Sequence, residues 1–97
     1  MSEPEILWDA AKGRANKEKH GVSFEEASEA FRDPDGLLLF DPDHSAAEDR
    51  FVLLGLSLRL RLLVVCHCYR QDDSIIRIIS ARKAGLREET QYWSKRT

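Results

Sequence analysis

Three strand-length runs rich in Leu, Val and Ile follow one another in the second half of the chain: about Arg50 to Ser57, Leu60 to Tyr69 and Ser74 to Ala81. The segments between them are short. Parallel strands need a crossover of a dozen or more residues, so these runs pair as antiparallel neighbours. Leu37 to Phe40 adds a fourth, shorter strand, and Ile6-Leu7-Trp8 is brief and apolar. An antiparallel sheet can leave one face wet but must cover the other. With 97 residues, 42% of them apolar, the chain is sized for one domain spanning 1–97 with one modest core. No run approaches the ~20 apolar residues of a membrane span. The acidic N-terminus lacks the order of a secretory signal. A cytoplasmic protein without membrane contact is the expectation.

The cover comes from three helices. Asp9 reads as the N-cap of a helix running to Lys19-His20, with Gly21 in the left-handed position beyond it. Ser23 and Glu26 form a capping-box pattern, and Val22 is placed for a hydrophobic staple to Ala27. Phe24, Ala27 and Phe31 recur at helical spacing as the buried stripe of a second helix, which Asp33-Pro34-Asp35-Gly36 stops. Asp41-Pro42-Asp43-His44 is another turn. Lys83 to Lys95 reads as a final helix with Leu86, Thr90 and Trp93 packed and Arg87, Glu88 and Lys95 wet. The expected fold is α+β: an antiparallel sheet of about four strands, two N-terminal helices and one C-terminal helix, with helices on one sheet face and the other partly open.

The charges are unevenly divided. Met1 to Asp49 holds 5 Lys and Arg against 13 Asp and Glu, a balance of −8; Arg50 to Thr97 holds 10 against 4, or +6. Such a chain can present an acidic and a basic surface at once. Read with period two, Leu60, Leu62, Val64, Cys66 and Cys68 form one uniformly apolar or thiol face, assigned to the core. Arg61, Leu63, Val65, His67 and Tyr69 form the other, and Arg77 is placed with them on the open side. Arg77 stands within Ile75-Ile76 and Ile78-Ile79, where a guanidinium must reach solvent, an anion or a carboxylate. Cations beside an aromatic ring suit a phosphodiester. Arg82, five residues on, shares that site only if the strand ends or bulges between the two.

Cys66-His67-Cys68 invites a metal reading. On a strand His67 points away from both sulfurs, so the three do not close on one ion, and no metal or other cofactor is expected.

Trp8-Asp9-x-x-Lys12, Asn16 and Lys19-His20-Gly21-Val22-Ser23-Phe24-Glu25-Glu26-Ala27 resemble the N-terminal signature of the BrnT-type ribonuclease toxins. Phe31-x-Asp33, Asp41-x-x-His44, Glu48-x-Arg50 and Gly55 continue the likeness. Leu62-Leu63-Val64-Val65, Arg77-Ile78-Ile79-Ser80-Ala81-Arg82, Glu88 and Tyr92 complete it, over nearly the whole chain. The chain departs from the pattern at Leu58-Arg59-Leu60, where a polar Gly-containing turn is usual, at Tyr69 and at Gly85. The resemblance implies a RelE-like fold and a metal-independent endoribonuclease toxin of a type II toxin–antitoxin system. It also implies neutralisation by a BrnA-type antitoxin, with DNA contacted only through the complex.

Metal-free RNA cleavage uses the RNA's own 2′-hydroxyl as nucleophile. It needs a proton acceptor, a proton donor for the leaving 5′-oxygen, and cations for the phosphorane. Arg77 and Arg82 come first as catalytic candidates, then Arg50, since Arg grips phosphate bidentately. His20, at a helix C-terminus where the dipole favours a cation, and Tyr92 follow. Lys12, Lys19, Arg61 and His67 are the candidates for RNA contact. Glu88, sharing a helix face with Tyr92, is a further proton carrier, and His44 reads first as a loop hydrogen-bonder. The alternative function is a non-catalytic module that docks the antitoxin as corepressor.

Overall fold

In the computed structural model, which describes residues 3–94, the apolar runs become strands of one five-stranded sheet. β1 (Glu5–Leu7) leads to α1 (Ala10–His20), α2 (Phe24–Glu29) and a 3-10 turn at Ala30–Arg32. β2 (Leu37–Asp41), a second 3-10 turn at Pro42–His44, β3 (Arg50–Leu56), β4 (Leu62–Arg70), β5 (Ile75–Lys83) and α3 (Leu86–Ser94) follow. The strand order is β1-β5-β4-β3-β2. β2 to β5 are antiparallel neighbours in sequence order. β1 lies parallel to β5, Leu7 opposite Arg77. The expectation of about four antiparallel strands is therefore one short. Three residues carry no readable period; β1 is a strand because the edge of β5 offers it unpaired backbone groups.

The N-terminal helix signals are realised with one change. Asp9 accepts from the Lys12 N–H at 3.0 Å, and Gly21 closes α1 at φ 71°. α1 has no apolar stripe, and Asn16 docks it instead. Its amide donates to the Val22 and Ala81 carbonyls at 2.9 and 2.8 Å and accepts from the Ala81 N–H at 3.1 Å. Ser23 caps α2 by accepting from the Glu26 N–H, and Val22 and Ala27 are fully buried in one cluster. The return half of the capping box is absent. The Glu26 carboxylate turns inward to Arg61 and to the Ser57 hydroxyl, which donates at 2.8 Å. Arg61 fastens α2 to the β3–β4 hairpin in this way. Its guanidinium holds the Glu26 carboxyl below the usual range, and the carboxylate raises Arg61 in turn.

Helices cover both faces of the sheet. Leu53, Leu63, Val65, Ile78 and Ala81 pack under α2 with Val22, Phe24 and Ala27. Leu54, Leu62 and Val64 pack on the opposite side against Tyr92 of α3. Both faces of β4 are apolar enough for a core, so alternation alone could not say which was open. Arg61, His67 and Tyr69 do share a face, as expected, but it is the α1–α2 face, and Arg77 is on the other. α3 also turns differently from its expected stripe: Tyr92 is wholly buried while Leu86 and Trp93 are 85% and 42% exposed.

Candidate functional site

The feature that organises the α3 face is a bulge in β5. Cys66 lies opposite Ser80 but His67 lies opposite Ile78, so Ile79 has no partner across the ladder. The extra residue changes the parity of everything beyond it. Arg77 is opposite Cys68 and Arg82 opposite Val64, four residues apart along an unbroken β4, so both arginines stand on one face. The strip between them is about 13 Å long at 3.3 Å per residue. Arg50 joins the same face from β3, opposite Asp41 of β2 and two residues from Val52, which pairs with Cys66. Cys66 sits between these groups: burial pushes its thiol up, while Arg50 and the neighbouring Ser80 hydroxyl oppose that.

Each arginine is held differently. Arg82 meets Glu88 of α3 bidentately, Nη1 to Oε1 at 3.1 Å and Nη2 to Oε2 at 3.0 Å. Glu88 also accepts from the Gly85 N–H at 2.6 Å, capping α3 while it orients Arg82. The guanidinium, then that N–H, keep the Glu88 carboxyl below its usual range, and the Arg82 guanidinium is raised. Arg77 is half-buried and enters no salt bridge among the described residues. Its charge reaches Asp9, whose carboxyl is lowered mainly by the Lys12 N–H.

A cleft of about 260 Å³ opens beside Arg82, lined by Asp41, Val52, Val64, Glu88 and Gln91 among others. At its margin the Asp41 carboxylate meets His44 Nδ1 at 2.8 Å, and the His44 side chain is 67% exposed. That contact orients the imidazole and leaves Nε2 as its outward atom. The pair arises because Pro42–His44 is a 3-10 turn, which stacks residues three apart. The Asp-Pro-Asp-His spelling carries that signal, although its first reading is a loop hydrogen-bonder.

The remaining candidates lie elsewhere. His67 is fully buried, its Nδ1 3.0 Å from the Val65 carbonyl and its ring 4.8 Å from that of Phe31. Desolvation lowers its pKa, and it presents no surface to RNA. Arg61 is committed to Glu26. Lys12 and Lys19 are exposed on α1, and His20 is half-buried there, on the opposite side of the sheet from Arg77 and Arg82. Tyr92 donates to Asp33 Oδ2 at 2.5 Å from a fully buried position, which makes it an anchor for α3 rather than a surface proton donor. His67 faces the α2 core while Cys66 faces away from it, and among the described residues no three His, Cys, Asp or Glu side chains converge as a metal site.

Fold and face together define a small α+β protein that presents a cationic strip on its sheet. The family described as "Ribonuclease toxin, BrnT, of type II toxin-antitoxin system" matches residues 8–88, and the chain belongs to that family. The crystal structure of the Brucella abortus ribonuclease toxin BrnT has the same fold, with a TM-score of 0.61 and 24% identity. That match covers 86% of this chain and 99% of the other. No curated protein matches the chain. No helix among the described residues is long and apolar enough to cross a membrane.

Proposed function

We propose that the arginine strip on the α3 face is the RNA-cleaving surface of a metal-independent endoribonuclease toxin. The co-facial placement of Arg77 and Arg82 by the β5 bulge, with Arg50 beside them, carries this reading. The RNA 2′-oxygen attacks the adjacent phosphorus and the bond to the 5′-oxygen breaks. The products are a 2′,3′-cyclic phosphate and a free 5′-hydroxyl. Arg77 and Arg82 hold the non-bridging oxygens as charge grows on them, and Arg50 flanks the strip. The Asp41–His44 pair carries the proton between the attacking and leaving oxygens. Glu88 orients Arg82. A BrnA-type antitoxin neutralises the toxin in the cytoplasm, and the chain reaches DNA only through that complex.

The test is product chemistry. Purified chain free of its partner is incubated with RNA and a chelator. Cyclic phosphate ends, and an uncut RNA when the scissile nucleotide is 2′-deoxy, are expected. Intact RNA under those conditions would favour the non-catalytic corepressor. Cutting of the 2′-deoxy substrate would rule out 2′-oxygen attack.

A further inference from the structure

The side of the sheet facing away from Arg77 and Arg82 carries an open groove that the RNA chemistry does not use. Beside α2, a cavity of about 800 Å³ is lined by Trp8, Phe31 and Tyr69, with Leu58 among its walls. A second, of about 610 Å³, shares Leu38 and Tyr69 with it and adds Phe51. The floor is therefore aromatic and continuous. Its rim is acidic: Glu25 and Glu29 border the first cavity, and Glu48, Asp49 and Asp73 the second. Arg32 is the cationic side chain lining the two, and Arg70 nearby is tied to Glu48 at 3.0 Å.

Apolar side chains are unusually exposed around the groove. Leu38 is 53% exposed and Leu58 78%. Exposed apolar surface framed by polar groups marks an interaction site. The charge decides its occupant. A carboxylate rim repels phosphate, which excludes RNA, and it attracts Lys and Arg. A second copy of this chain could offer its arginine strip only head to tail, a heterologous contact rather than the isologous one of a two-fold dimer.

We infer that this acid-rimmed aromatic groove docks a cationic amphipathic segment of the antitoxin. The inference rests on the toxin reading above, since type II family membership is what supplies a protein partner. The segment lays its apolar side on Trp8, Phe31 and Tyr69 and sets its Lys or Arg residues at the rim, as an amphipathic helix does in a groove. RNA and antitoxin then meet opposite sides of one sheet.

The test uses the full chain and two 16-residue peptides of helical spacing, one of Lys and Leu, the other of Glu and Leu. Titration calorimetry is expected to give binding of the Lys/Leu peptide only. Its Kd is expected to rise at least tenfold in Glu25→Lys/Asp49→Lys and to stay unchanged in Arg77→Ala. In cells, the same double variant is expected to escape its antitoxin. Equal binding by wild type and the double variant, or binding of the Glu/Leu peptide, would overturn the inference. So would a dimer of the free chain, by light scattering, that the double variant dissolves. Because the titration does not depend on RNA cleavage, a chain that binds but does not cut defeats the toxin reading alone. A chain that cuts but does not bind defeats the docking inference alone.

Discussion

A Cβ built on Gly55 would lie 2.7 Å from the Ala30 carbonyl oxygen, because the 3-10 turn at Ala30–Arg32 crosses β3 backbone to backbone there. Gly55→Ala is expected to destabilise the protein by about 2–3 kcal/mol in urea unfolding, the cost of forcing a packed backbone apart. Leu60 presents the reverse case. Its N–H donates to the Ser57 carbonyl at 2.9 Å, closing the β3–β4 turn, and its φ is 61°. The turn that lacked a glycine in the sequence is thus the usual glycine-closed hairpin, with a leucine in the left-handed position. Leu60→Gly is expected to stabilise by about 1 kcal/mol in the same assay, since the left-handed conformation costs a non-glycine residue about that much. At this scale the sequence was informative about which residues matter and poor about their partners. Arg77 and Arg82 stood out as cations among isoleucines. Glu88 as the partner of Arg82 depends on how the chain turns from β5 into α3, whereas Asp41 as the partner of His44 is set by the local Asp-Pro-Asp-His turn.

Among the elements, α2 and α3 are each fixed to the sheet by a polar contact that hydrophobic periodicity does not reveal. The Ser23–Glu26 spacing announced α2 correctly but assigned the Glu26 carboxylate to its own helix. Arg61, 35 residues away, outcompetes a neutral N–H because a charged bidentate partner is the stronger one. Glu26→Gln is expected to cost about 2–3 kcal/mol at pH 7, below the value for a fully buried pair since the Arg61 side chain keeps 30% exposure. Glu26 is held below its ordinary 4.5 when folded. Its contribution is therefore complete above that pH and is lost as pH falls through the folded value. The gap in urea midpoint between wild type and variant is accordingly expected to narrow as pH drops below 4.5. α3 was legible as a helix but its orientation was not: Leu86 and Trp93 look like the packing residues, and the buried Tyr92 hydroxyl reaches Asp33 instead. Tyr92→Phe is expected to lose about 1.5–3 kcal/mol of stability. Cleavage per folded molecule is expected to remain near the wild-type rate. A loss of cleavage without a loss of stability would return Tyr92 to the chemistry.

Across the whole molecule the −8/+6 division of charge maps partly onto the two sides of the sheet. Arg50, Arg77 and Arg82 of the basic half stand on the α3 face while Arg61 faces α2, and carboxylates, all but Asp73 from the acidic half, dominate the groove beside α2. The near-neutral total gave no hint of this; the half-by-half count did. The α+β class and the antiparallel run of strands followed from short connections and period two. The parallel β1 did not, and neither did the choice of open face, because both faces of β4 are apolar. The β5 bulge was visible only as the condition under which Arg77 and Arg82 could meet. If that strip holds RNA through about three phosphates, binding of a 2′-deoxy substrate analogue should fall with salt at a log–log slope of about −2. Arg77→Ala is expected to flatten that slope by about 0.7, measured by fluorescence anisotropy.

The most direct measurement is the rate of RNA cleavage by partner-free Arg77→Ala protein with chelator present, beside wild type of equal thermal stability. A fall of about 10²–10³-fold, the usual loss when one donor to a developing oxyanion is removed, is predicted. An unchanged rate in a folded Arg77→Ala protein would contradict the assignment of catalysis to the arginine face.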